Sequence, residues 1–143
     1  MSYTERFTEG AALLGVIDPA SHTAEKNTGY VSMANYGRAV IILHCGVIGG
    51  NLDVDIETAK DTSGTGAKTF DSGNKDTTKT ATTDNNTVTV IEIKAEEFDV
   101  ANGFDCLNVE VTPASAGIFG VQVWGLEPRY KPVSTTLLDA VVD

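Results

Sequence analysis

Arg38-Ala-Val-Ile-Ile-Leu-His-Cys45 decides the fold. Its apolar run is rich in β-branched residues and is bounded by Asn35-Tyr36-Gly37 before and Gly46-Val-Ile-Gly-Gly50 after, so it reads as a central β-strand buried on both faces. Tyr30–Met33 reads as a short extended piece, and the turn residues of Ala34–Gly37 reverse the chain into the central strand.

Downstream, Leu52, Val54 and Ile56 alternate with Asp53, Asp55 and Glu57, a strand with one face in the core and one in water. Leu107, Val109 and Val111 repeat the pattern, as do Phe119, Val121 and Val123, which places Trp124 on the opposite face. Thr87–Lys94 is a further strand whose apolar phase slips from Val88 and Val90 to Ile91 and Ile93, which predicts a bulge or burial on both faces. Ala95–Asp99 predicts one helical turn and Asn102-Gly103 a tight turn. Residues 61–87 are rich in threonine, with turn clusters at 63–66, 73–76 and 84–86, and read as a meander of short exposed strands rather than a linker.

Strands spaced by about ten residues, with no long amphipathic helix, predict an all-β chain: an antiparallel β-sandwich or jelly-roll-like barrel with irregular N- and C-terminal arms. At 143 residues it is one domain, with an arm over 1–29, a body over 30–127 and a tail over 128–143. The arms lack regular alternation but carry Tyr3, Phe7, Leu13, Leu14, Val16, Ile17, Tyr130, Leu137 and Leu138. Such residues on irregular arms are either folded back on the sandwich or laid against a neighbour, and Trp124 either makes a contact or caps the core under the arm; together they are the candidate contacts to neighbouring subunits or to a larger assembly.

Ten basic residues against twenty acidic ones give a net charge of −10, which disfavours direct contact with nucleic acid or an anionic membrane. No apolar run is long enough for a membrane span, and the first thirty residues lack the pattern of a signal peptide, so synthesis in the cytosol is expected. Cys45 and Cys106 have no metal-ligand spacing and are expected as small buried residues. His44 and Cys45 are neighbours on a strand and point to opposite faces, which argues against a nucleophile and its base.

Ser63-Gly-Thr-Gly-Ala-Lys-Thr69 superficially matches a phosphate-binding loop, but Ala67 stands where glycine is required before the lysine and no helix follows. It is expected as a turn. Asp71-Ser-Gly73 echoes an aspartic-protease motif, yet runs into the polar Asn74-Lys-Asp76 and is also expected as a turn. Asp53, Asp55 and Glu57 read as a solvated acidic face and not a calcium loop. The expectation is therefore a chain with no catalytic residues, no cofactor and no metal.

Gly29-Tyr-Val-Ser-Met-Ala-Asn-Tyr-Gly-Arg-Ala-Val-Ile-Ile-Leu43, Glu57-Thr-Ala-Lys-Asp-Thr-Ser-Gly-Thr-Gly-Ala-Lys68, Ile91-Glu-Ile-Lys-Ala-Glu-Glu-Phe-Asp99, Asn108-Val-Glu-Val-Thr-Pro113 and Pro128-Arg-Tyr-Lys-Pro132 follow one another in an order that resembles small virion proteins of tailed bacteriophages. The resemblance covers roughly a hundred residues and supplies no functional residues to carry over. It implies a structural, non-enzymatic virion component, most simply a capsid decoration or cement protein on the outer capsid surface. Its partner would be the major capsid protein, and it would form a homo-oligomer, with a trimer favoured. A head–tail connector or tail component is the alternative in the same setting. A carbohydrate-binding fibre module is the alternative from another class.

Overall fold

The computed structural model describes residues 4–70 and 74–142. The described residues form ten strands: β1 (Ala11–His22), β2 (Lys26–Asn27), β3 (Val31–Ser32), β4 (Tyr36–Ile48), β5 (Leu52–Ala59), β6 (Lys68–Thr69), β7 (Thr77–Lys79), β8 (Val88–Lys94), β9 (Cys106–Pro113) and β10 (Gly117–Pro128). One short helix, α1 (Phe7–Gly10), precedes them. A 3-10 turn at Ala95–Glu97 matches the helical turn expected after β8, and Gly103, at φ 85°, takes the left-handed conformation of the expected tight turn.

All the pairing is antiparallel. One sheet runs β1-β10-β4-β8. In the other, β9 and β5 are the inner pair, and each outer position is a strand broken in two: β2 and β3 both lie along β9, and β6 and β7 both lie along β5. Counting each broken strand once gives two four-stranded sheets. The chain passes from sheet to sheet at every connection except the β5-to-β6/β7 hairpin. That is the connectivity of a jelly roll, and it makes the all-β sandwich expectation correct.

The core lies between the sheets. Ile41, Leu43, Ile93, Phe119, Val121 and Val123 from the first sheet meet Leu52, Val54, Ile56, Leu107, Val109 and Val111 from the second, all essentially buried. The alternations read for β5, β9 and β10 appear as written. Phe70 is also buried and packs edge-on against Phe98 with ring centroids 5.1 Å apart, anchoring the threonine-rich meander. The meander's strands, β6 and β7, are shorter than expected. Both cysteines are buried and free, and burial pushes their thiols up, that of Cys106 to about 11.

Three expectations change. Residues 11–22, read as part of an irregular arm, form β1 and pair with β10 along its length, so the body begins at residue 11 and not at 30. The pairing shifts register between Leu13 and Gly15 and again between Ile17 and Ala20, and these bulges erase the period-two signal. β4 is an interior strand, but only one face is fully buried: Val40 and Ile42 are half-buried on the other, and His44 is exposed there. β8 pairs with β4 without interruption from Arg38–Lys94 to His44–Val88, so its phase slip is neither a bulge nor burial on both faces. Val88 and Val90 simply face outward, at 56% and 53% exposure.

Within Ser63–Thr69, residues 63–67 form the expected turn and Lys68–Thr69 is β6. The Asp61 carboxylate accepts the Ser63 and Thr65 amides at 2.9 and 3.1 Å, which holds it below the usual carboxylate range through the Thr65 hydroxyl and backbone first. The amides of Ser63, Gly64, Thr65 and Ala67 are thus already occupied within the turn. Gly64 lies at φ 84°, where an added Cβ would come within 2.9 Å of the Tyr30 ring. Lys68 bridges Asp99 at 3.1 Å and lies over the Phe104 ring at 4.0 Å. The Asp71-Ser-Gly73 motif lies outside the described residues.

Two substitutions test this architecture by urea denaturation. Ile41→Ala removes a fully buried side chain from the centre of the core and should lower stability by about 2–5 kcal/mol. Gly64→Ala should destabilise by about 1 kcal/mol or more, through its backbone conformation and the Tyr30 ring.

Candidate functional site

The two outer faces of the sandwich differ in chemistry. On the β9/β5 sheet, Asp55 stands directly opposite Glu110, and Glu57 opposite Asn108. Asn108 is buried there because its amide donates to Glu57 Oε1 at 3.1 Å and accepts from the Thr28 hydroxyl at 3.4 Å, while the Tyr30 hydroxyl donates to Glu57 Oε2 at 3.2 Å. Burial and the Glu57 carboxylate push the Tyr30 phenol up to about 12 and the Glu110 carboxyl up to about 7. Glu25 and Asp55 add to the shift at Glu110. Burial, followed by Asp76 and Asp53, raises Asp55. This face is a crowded field of carboxylates.

The outer face of the β1-β10-β4-β8 sheet is mostly apolar. Register places Val16, Gln122, Ile42 and Val90 in one row across all four strands. The next row is Leu13, Trp124, Val40 and Glu92. On the other side, Gly120, His44 and Val88 are aligned, and Pro19 folds over Gly120, where an added Cβ would meet Pro19 atoms at 3.0 Å. Ile118 lies across Gly46 in the same manner and is 47% exposed. Glycine at these two positions lets neighbouring apolar side chains lie flat on the sheet.

Both ends of the chain converge on this face. Phe7 of α1 packs edge-on against Trp124 at 5.1 Å, and the indole Nε1 donates to Gln122 Oε1 at 3.0 Å. After β10 the tail pairs Lys131 with Glu5, buries Val133, and brings Leu137 to the rim of a cleft of about 420 Å3. Val16, Pro19, Ile42, His44 and Gln122 line the cleft on the sheet side. It contains one carboxylate, Asp18, and one imidazole, His44, and no nucleophile among the described residues. Cys45, the neighbour of His44, faces the core.

The structure groups five of the ten expected contact residues. Phe7, Leu13, Val16, Trp124 and Leu137 all lie on or against this one face. Trp124 is at once a surface residue and the seat of the N-terminal helix. Leu14 is partly buried against the core, and Leu138 is half-buried in the tail. Tyr130 stands 73% exposed beyond β10. Ile17 is a correction: it is 5% exposed and belongs to the core, because β1 is a paired strand whose inner face it occupies. Tyr3 lies outside the described residues.

Sequence reading names none of Ile42, His44, Pro19, Val88 and Val90 as a contact residue. The signal for the two valines was present in the phase slip of β8. Pro19 and Gly120 meet only once β1 is known to be a strand.

Neither a protein-family model nor a curated protein matches this chain. Its function is therefore argued from these faces. No described group of His, Cys, Asp or Glu side chains is arranged to hold a metal ion, and no described helix is long and apolar enough to cross a membrane.

The acidic face makes stability depend on pH. Glu110 binds its proton more tightly in the folded chain than at its ordinary value of 4.5, so the folded state is favoured below that value and loses this advantage as pH rises through about 7. Urea midpoints should be higher at pH 5 than at pH 8, and Glu110→Gln should shrink the difference. Equal midpoints at the two pH values would contradict the assignment.

Proposed function

We propose that this chain is a structural virion protein of a tailed bacteriophage, a capsid decoration or cement protein with no catalytic role. It would bind the outer shell through the apolar face of the β1-β10-β4-β8 sheet and turn its acidic face to solvent. The observation that carries this reading is the asymmetry itself: one face holds Val16, Ile42, Val90 and Trp124, and the other holds Asp55, Glu57 and Glu110. The apolar rows extend across all four strands, well beyond the cleft beside Leu137, and an apolar surface of that extent fits a protein partner better than a small molecule. The resemblance to small phage virion proteins points to the same role, with the major capsid protein as partner.

A shell offers many identical sites, so a modest contact per copy accumulates. Burial is worth about 25 cal/mol per Å2 of apolar area, and copies held on one lattice reinforce one another through effective concentration. The acidic side keeps decorated particles apart by repulsion and keeps the protein away from packaged DNA. The jelly roll supplies a rigid plate on which the face is held. The carbohydrate-binding alternative is less well supported: Trp124 lies under Phe7, Tyr30 is on the acidic face, and Tyr130 is beyond the body, so the aromatics form no common platform.

Electron cryomicroscopy of particles from the phage that carries this chain tests the reading. Density for the jelly roll is expected over the capsid lattice with its β1-β10-β4-β8 face toward the shell. Density confined to the neck or tail would favour the connector or tail-component alternative, and absence from the particle would exclude both. In a sedimentation assay with undecorated shells, Ile42→Asp and Leu137→Asp should each weaken binding by about tenfold or more, while Thr112→Asp on the acidic face should leave it unchanged.

A further inference from the structure

The free edge of β8 is closed over one half and open over the other. Among the described residues β8 is the last strand of its sheet, and β4 is its one partner strand. Along its outer edge, Lys75 Nζ donates to the Glu92 carbonyl at 3.2 Å and bridges Glu97 at 3.0 Å, and the Lys94 amide donates to Glu97 Oε2 at 2.7 Å. These bonds show that the backbone groups of Glu92 and Lys94 point away from β4. The two-residue period then turns the amides and carbonyls of Val88 and Val90 outward as well. The Cys45 amide bonds the Thr87 carbonyl at 2.9 Å, so the odd-numbered residues face β4, as this parity requires. No described group covers the edge at Val88 and Val90.

Open edges are templates for another strand, and folded proteins usually close them with lysine, proline or a covering loop. Here Lys75 and Glu97 close the half from Glu92 to Lys94. The half left open carries two exposed valines, and residues 87–91 contain no charged side chain, in a chain whose net charge is −10. A second copy can approach there without bringing carboxylates together.

We propose that two copies of this chain join edge to edge, pairing β8 with β8 antiparallel about a twofold axis at Thr89. Val88 of each copy then lies opposite Val90 of the other, and the four outward backbone groups of each Val88–Val90 pair find partners. The register is self-complementary, as an isologous contact must be. It stops short of the Lys75 and Glu97 closure, and it carries Lys94 of each copy toward the Asp84–Asn86 turn of the other, so opposite charges meet. On the outer face, Val90 of each copy adjoins Ile42, its ladder neighbour on β4, and the apolar surface runs on from one copy to the next.

Three residues per copy bury far less than the ~1,000 Å2 of a stable complex. The contact is therefore weak between free chains and forms fully where copies are held close, at the millimolar effective concentrations of a shared surface. It needs no shell to be detected, so its outcome is separable from that of the virion reading. A twofold contact is also compatible with a trimer, because twofold axes lie between the threefold axes of a hexagonal lattice.

Disulfide trapping of the full chain tests the register. Thr89 would face its own counterpart at a non-hydrogen-bonded position, about 4.5 Å between Cα atoms, within disulfide reach. Thr89→Cys should yield a covalent dimer under mild oxidation at high protein concentration. Glu92→Cys, although more exposed, should yield about tenfold less, because its counterpart lies six residues away along the pairing. Adding Val88→Lys and Val90→Lys to Thr89→Cys should abolish the dimer, whereas adding Val100→Lys, at an equally exposed valine off the edge, should not. Equal trapping at Thr89 and Glu92, or trapping insensitive to the two lysines, would overturn the proposal. Hydrogen exchange of the unaltered chain guards against misfolded variants: the Val88 and Val90 amides should slow as concentration rises, and unchanged rates would also overturn it.

Discussion

The ladder between β4 and β10 is the constraint on which the rest of this structure depends. It runs from Tyr36–Pro128 to Ile48–Gly117, joins the two central strands of its sheet, and leaves each with one wholly apolar face. Ile41, Leu43, Val121 and Val123 have to be covered, and the second sheet covers them with Val54, Ile56, Val109 and Val111. Once that layer is set, β1 and β8 can only be the flanks of β10 and β4. The broken outer strands of the second sheet are bound less regularly, held by side chains such as Thr28, Asp76 and Phe70 as much as by backbone.

The same ladder produces the candidate interaction surface. Because β4 carries Val40 and Ile42 on the side it does not give to the core, the middle of that face is apolar too, between Arg38 and His44. Trp124 and Ile118 on β10 and Val16 on β1 extend that character outward, and the glycines at 46 and 120 let Ile118 and Pro19 lie flat. The second sheet has the opposite character because β5 and β9 alternate strictly, which sends Asp53, Asp55, Glu57 and Glu110 out together. Placing like charges opposite one another across β5 and β9 is unfavourable. The chain offsets part of that cost by raising the Glu110 carboxyl to about 7, so that it holds its proton at mildly acidic pH, and by threading Tyr30 and Asn108 between the carboxylates.

What could be read from the sequence followed from regularity. β5, β9 and β10 were legible because their apolar and polar residues alternate, and β4 because its apolar run is continuous; the jelly roll's inner strands are these four. β1 was not legible, since the bulges near Gly15 and Pro19 change which face each residue takes, so Leu13, Val16 and Ile17 look patternless until the partner strand is known. The same cause placed Ile17 among the surface candidates when it belongs inside. Tail residues such as Leu137 were recognisable as apolar without a home, but only the three-dimensional arrangement shows that their home is the face of β4.

β8 shows how a local irregularity can carry information about association. An apolar phase that slips in mid-strand has three physical outcomes: a bulge, burial on both faces, or apolar residues left in water. Uninterrupted pairing with β4 removes the first, and the exposure of Val88 and Val90 removes the second. Left in water on an edge strand, two valines invite unwanted pairing, and nearby residues show that this chain can close such an edge, since Lys75 does so one turn of the pleat away. Closure of one half beside an open half fixes both where a second strand can dock and where it must stop, which is the requirement for a contact of defined register.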